Sequence, residues 1–216
     1  MRIPYGLTTE EYQVVKGLSS PVKIQTFLDR IPYNHEESGY TWLSPRLVLA
    51  KRRAHCFEGA LFAALALSFQ GQGALILDLK TVPHDDDHVV ALYRKNGLWG
   101  AISKTNHAVL RYRDPIYRSL RELALSYFHE YFDLKTGAKT LRSFSRPLDL
   151  FRFGTEWVTT DIPLDTLADA LDATRHTQLF PVSQNRYLRP ADTMEMRGVS
   201  FSEWPPEMSV KGGRKL

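Results

Sequence analysis

The amino-acid sequence predicts an α+β fold in which N-terminal helices and one central buried helix pack on an antiparallel β-sheet. Three observations carry this expectation. Paired cap-and-proline signals open helices before residue 50, the run from Cys56 to Phe69 is apolar almost all the way round, and apolar segments of strand length follow it. A chain of 216 residues with 43% hydrophobic content can bury a sizeable core without covalent staples.

Thr8-Thr9-Glu10-Glu11, followed by Tyr12, Val14, Val15 and Leu18, reads as a capped amphipathic helix that ends between Gly17 and Ser20. Ser20-Pro21 then starts a second helix, with Ile24, Phe27, Leu28 and Ile31 on one face, and Pro32 stops it. A polar loop from Tyr33 to Gly39 follows. Ser44-Pro45 repeats the start signal for a short helix through Leu49, interrupted by Lys51 to Ala54. From Cys56 to Phe69 the residues fit a helix buried on nearly every side, closed by Gly71 and Gly73. Ala74 to Leu79 and Val89 to Tyr93 read as strands, and Asn96-Gly97 turns the second of these into a returning strand, Leu98 to Ser103. A helical stripe resumes over Ile116 to Phe132, edge strands are expected within Leu141 to Trp157, and a helix over Pro163 to Ala173. One domain is expected over residues 1–190. Residues 191–216, rich in Pro and Gly, are expected to be an extended or partly disordered tail.

Charge and cysteine usage narrow the function classes. The net charge of +4 is spread over 28 basic and 24 acidic residues, and its two basic runs, Lys51-Arg52-Arg53 and Lys211 to Lys215, carry no aromatic interleaving, so no nucleic-acid partner is expected. Cys56 is the single cysteine, which rules out an intramolecular disulfide and a cysteine-rich zinc site. No run approaches the ~18 apolar residues of a membrane span, and the chain is read as cytoplasmic with no membrane partner. Consecutive acids at Asp85-Asp86-Asp87 beside His84 and His88 read as a solvated loop, and neither a metal nor another cofactor is expected.

Chemistry centres on Cys56. A thiol in the first turn of a buried helix sits where backbone N–H groups and the helix dipole favour a thiolate. The competing account is a small buried hydrophobe. His88, 32 residues later at the mouth of a strand, can supply the imidazole such a thiolate needs, whereas His55 is expected to point elsewhere and His84 is a neighbouring competitor.

The run Arg53-Ala54-His55-Cys56-Phe57-Glu58-Gly59-Ala60, the helix to Phe69, Gly71-Gln72-Gly73-Ala74, then His88 to Tyr93 and Asn96-Gly97-Leu98-Trp99 together resemble the core of transglutaminase-like, papain-type cysteine proteins. The likeness spans roughly residues 53–105. It implies a papain/transglutaminase-like fold, Cys56 as nucleophile, His88 as general base and acid, and Trp99 packing near the site. The family's orienting aspartate falls at Ser103 in this chain, so Asn106 is ranked slightly above Ser103 for that position, with Asp114 more distant. Trp99 and Trp42 are the expected substrate-binding aromatics, and pocket walls are expected from loops 33–41 and 136–147. The implied activity is acyl transfer or hydrolysis at a peptide or small acyl substrate, with oligomeric state left open. Two alternatives stand beside it: a non-catalytic binding module on the same fold, and an arylamine N-acetyltransferase-like enzyme, whose segment before the cysteine Arg52 to Glu58 also resembles.

Overall fold

The computed structural model describes residues 3–36, 39 and 41–203, so Trp204 and the terminal proline, glycine and basic residues of the expected tail lie outside the described residues. The N-terminal helices form where their caps are. α1 (Thr9–Gly17) has a full capping box, in which Thr8 accepts from the Glu11 amide while the Glu11 carboxylate accepts from that of Thr8. Ser20 caps α2 (Pro21–Arg30) and Ser44 caps α3 (Pro45–Lys51), each with proline at the start, as the sequence predicts. α4 (Cys56–Ser68) is buried continuously from Phe57 to Leu67, which explains an apolar pattern with no polar face.

Behind α4 stands an antiparallel sheet of seven strands among the described residues. β1 (Leu75–Lys80) pairs with β2 (His88–Lys95), and β2 with β3 (Leu98–Ser103) through the Asn96-Gly97 turn. Both turn residues have positive φ, 51° and 82°, the conformation a two-residue hairpin demands and Asn-Gly tolerates. β4 (Arg113–Tyr117) forms one edge. On the other side of β1 lie β5 (Ser143–Ser145), the short β6 (Leu148–Asp149) and β7 (His176–Gln178), in the order β4-β3-β2-β1-β5-β7 with β6 also on β1.

The two sheet faces are covered differently. Ile76, Val89, Ala91 and Ile102 face α4, whose own outer side is covered by α1 to α3. Leu77, Leu79, Val90, Leu92 and Ala101 face α5 (Leu120–Phe128). α6 (Asp165–Asp172) adds Leu167 and Leu171 to the α4 side.

Several expectations are corrected. The helix expected from Ile116 starts only at Leu120, where Ser119 accepts from the Glu122 amide, and residues 113–117 instead extend the sheet. Pro115 is tolerated there because β4 is an edge strand. β5 lies between β1 and β7 and is not an edge. Within the expected tail, residues 193–199 form α7 (Thr193–Val199), capped by Asp192, and residue 202 bridges to His107. No helix among the described residues is long and apolar enough to cross a membrane.

Candidate active site

Antiparallel pairing brings the start of β2 and the end of β3 to one end of the sheet, and the N-terminus of α4 opens at that same end. Cys56, His88 and Ser103 therefore converge although 47 residues separate the first from the last. The approach of α4 to this end is close. A Cβ built on Gly59 would lie 2.5 Å from the Cβ of Lys104, just past β3, so glycine is needed in the first turn.

His88 is buried, and its Nε2 lies 2.7 Å from Ser103 Oγ. The serine hydroxyl donates its single proton to the Leu110 carbonyl at 2.5 Å, so Oγ must accept from the ring. That assigns the proton to Nε2 and leaves Nδ1 as the basic nitrogen. Ser103 is itself clamped. Gln25, on α2, accepts from the Ser103 amide at 3.0 Å and donates to its carbonyl at 2.8 Å, like a one-residue strand where β4 has already turned away.

Of the residues expected to orient His88, the geometry selects Ser103. Asn106 is buried and lines the neighbouring cavity, but the His88 ring bond runs to Ser103; Asp114 lies in β4, on the Tyr93–Tyr112 side of the sheet. Trp99 is also moved out of the site. It pairs with Arg94, six residues along β2 from His88, or ~20 Å at strand spacing, and the Arg94 guanidinium stacks 4.7 Å from its ring. Trp42 stays in: its ring meets His55 and Phe57 edge-on at 5.5 and 5.1 Å. Its φ of 39° is unusual for a bulky residue.

His55 does not point elsewhere. As N-cap of α4 it has extended backbone (φ −96°, ψ −170°), which folds the ring back over the first turn, with Nδ1 4.0 Å from Cys56 Sγ and 3.2 Å from the Phe57 amide. The other face of the ring meets two acids, Nε2 lying 3.2 Å from Glu36 and 3.4 Å from Glu58. Glu58 is fully buried and accepts from Asn34, Thr41 and the amides of Leu43 and His55. Only the His55-x-x-Glu58 spacing, a capping-box pattern, hinted at this cluster in the sequence.

The electrostatics favour a thiolate. Burial pushes the Cys56 thiol up, but the His55 and His88 rings hydrogen-bonding the sulfur outweigh it and bring its pKa down to about 6. For His55, burial acts downward, and the sulfur and Glu36 overcome it, raising the ring to about 10. Cys56 is nonetheless partly exposed, because two cavities open onto it.

The first cavity, of about 500 Å³, is bounded by Cys56, His88, Lys104, Asn106 and residues 130–135. The second, of about 400 Å³, lies toward Trp42, Phe57, Asp78, Leu171 and Asp172. Tyr33, Glu36 and Asp85 to Asp87 border both. Loop 33–41 thus contributes as expected, whereas residues 136–147 line neither. Among the described residues, two sets of side chains bring three donor atoms within 4.8 Å of one another: Glu36, His55 and Glu58, and Asp78, Asp87 and Asp172. In the second set Lys80 already pairs with Asp87 and Asp172.

Compared with known proteins, the chain matches no family model, and no curated protein matches it in sequence.

Proposed function

We propose that the protein is a thiol acyltransferase or hydrolase of the transglutaminase-like, papain-type class, with Cys56 as nucleophile and His88 as the group that moves protons. The observation that carries this reading is the placement of the Cys56 sulfur. It lies at the positive end of α4, beside imidazole, and at the junction of two cavities. A structural cysteine has no need of an ionised sulfur that solvent can reach.

In the proposed reaction the thiolate attacks the carbonyl carbon of an amide, ester or thioester, and a carbon–sulfur bond forms. His88 in its protonated form gives a proton to the departing amine, alcohol or thiol as the bond to it breaks, leaving an acyl-enzyme. Water or an amine entering from the vacated side then loses its proton to His88 Nδ1 and attacks the thioester, which restores the thiolate. Ser103 orients the ring throughout, since its oxygen can only accept from Nε2 while Leu110 takes the hydroxyl proton. Two cavities on either side of one sulfur suit a two-substrate or two-sided reaction.

The test is alkylation of Cys56 by iodoacetamide across pH, followed by mass-detected acyl-enzyme formation with activated esters. The wild-type rate should rise through a midpoint near 6, the thiol's lowered value, and reach a plateau by pH 7 to 8. Cys56→Ser should abolish acyl-enzyme formation, and His88→Ala should slow deacylation by ~10²- to 10⁴-fold. A thiol that titrates near 8.5 or above, like an unperturbed cysteine, would overturn the reading.

A further inference from the structure

Resting on Cys56 as the nucleophile, we propose that His55 is a second catalytic histidine, the counter-ion that holds the sulfur as thiolate, with Glu36 and Glu58 as the carboxylates behind it. His88 and Ser103 are then free to handle the proton of the leaving group. The site divides between two imidazoles what a single histidine with one carboxylate would otherwise do.

The geometry supports this on both sides of the ring. Nδ1 faces the sulfur at 4.0 Å, and Nε2 faces Glu36 and Glu58 at 3.2 and 3.4 Å. The carboxylate missing behind His88 is thus present behind His55. Charge balance points the same way. Glu58 is fully buried and ringed by donors, and a carboxylate removed from water needs a neighbouring counter-charge. His55 is the basic side chain that Glu58 and Glu36 share. A neutral ring would leave two acids packed against an uncharged partner. A protonated one offsets part of their charge, and its Nδ1–H points toward the sulfur.

The Cys56 proton moves within the site, whereas His88 Nδ1 takes from solvent the proton it gives to the leaving group and recovers one from the attacking water or amine. The Cys56 S–H bond breaks, a bond from that proton to His55 Nδ1 forms, and the electron pair stays on sulfur. One interaction is exchanged in the process. When the ring is neutral, Nδ1 accepts from the Phe57 amide at 3.2 Å, and a protonated Nδ1 cannot. That amide becomes a free donor at the positive end of α4, beside the new negative charge.

Other charged groups also face the sulfur and bear on its titration. Tyr33 comes from the loop before α3, and Tyr131 from the segment after α5; both phenols are pushed up, burial acting first and the Cys56 charge adding to it, so they stay neutral. Asp85 to Asp87, from the β1–β2 loop, oppose the thiolate, and so does Asp78 of β1 in the second cavity. Lys104, past β3, is itself pushed down by burial and donates to the Ile31 carbonyl. His88 is the other imidazole that hydrogen-bonds the sulfur, and His35 and His107 border the first cavity.

His55→Asn separates the roles, because asparagine caps a helix well but carries no charge. In iodoacetamide alkylation, the thiol midpoint should climb from about 6 by at least one pH unit toward the free value of ~8.5 in His55→Asn, and by a smaller step in Glu36→Gln. In His88→Ala it should stay below 7. A midpoint unmoved in a folded His55→Asn, or one that climbs only in His88→Ala, would overturn the proposal and leave His55 as a helix cap. If His55→Asn does not fold, nitrogen-15 shifts of the wild-type ring at pH 8 decide the matter. Two protonated nitrogens support the proposal, and a bare Nδ1 overturns it. These readouts need no turnover, so an inactive protein would defeat the enzyme reading without deciding this one.

Discussion

At the scale of single residues, the site turns on which atom holds each proton. Ser103 occupies the place of an orienting carboxylate, and its surroundings explain why a carboxylate would not serve there. The Leu110 carbonyl sits 2.5 Å from Oγ, and an aspartate oxygen at that point would face a second acceptor with no proton between them. Ser103→Asp is therefore expected to lower acyl-enzyme turnover, although it restores the acid. Ser103→Ala leaves Nε2–H and the Leu110 carbonyl without each other's bridge, a loss of ~1–3 kcal/mol that corresponds to roughly five- to a hundred-fold in rate. Parallel kinetics of the two variants check this, and a faster Ser103→Asp would refute the assigned proton direction. Cys56 and His88 were legible in the sequence because each begins a nearly unbroken apolar run of helix or strand length. His55 was not, since neighbouring side chains normally diverge and only the extended N-cap backbone turns this one back. Tyr33 and Glu36 were hidden because a polar loop has no period to read.

At the scale of elements, capping chemistry accounts for most of what the sequence made visible. Thr8, Ser20 and Ser44 each accept from an amide three residues on, and Asn96-Gly97 closes its hairpin as a two-residue turn. β4 was missed because Pro115 and the helix-like spacing that follows it disguise a strand held by its partner β3. β7 and α7, at three and seven residues, are too short to carry a period at all. The placement of α4 depends on a single missing methyl group. Gly59→Ala would drive its Cβ into Lys104 at 2.5 Å, and that contact is a side-chain stem next to the backbone, which cannot swing away. Overpacking of this kind costs ~1–3 kcal/mol, so the denaturation midpoint should fall. The shift should be accompanied by slower alkylation at Cys56, because three residues of the same helix turn separate the two positions. A variant of unchanged stability would mean that α4 is not held against the end of β3 as described.

At the scale of the whole molecule, the charge near the sulfur runs against the charge of the chain. The net charge is +4, yet Glu36, Asp85, Asp86 and Asp87 border both cavities that reach Cys56. The second cavity adds Asp78 and Asp172 and, among the described residues, has no lysine or arginine in its lining. Asp78 is pushed up, chiefly by burial and then by the neighbouring Asp87, while His176 on β7 pulls it back by hydrogen-bonding one of its oxygens. Such a site concentrates cations and repels anions over the last few ångströms of approach. Compared with a free thiol at the same fraction of thiolate, Cys56 should therefore discriminate against iodoacetate relative to neutral iodoacetamide. The discrimination should shrink between 0.01 and 1 M salt, as the screening length falls from ~30 to ~3 Å. Asp172→Asn should relieve part of it without touching either imidazole, because Asp172 reaches the site only through Lys80 and the cavity wall. If iodoacetate reacts with Cys56 as readily as with a free thiol at low salt, the acids are neutralised where they stand, and the two cavities impose no preference for the charge of what enters them.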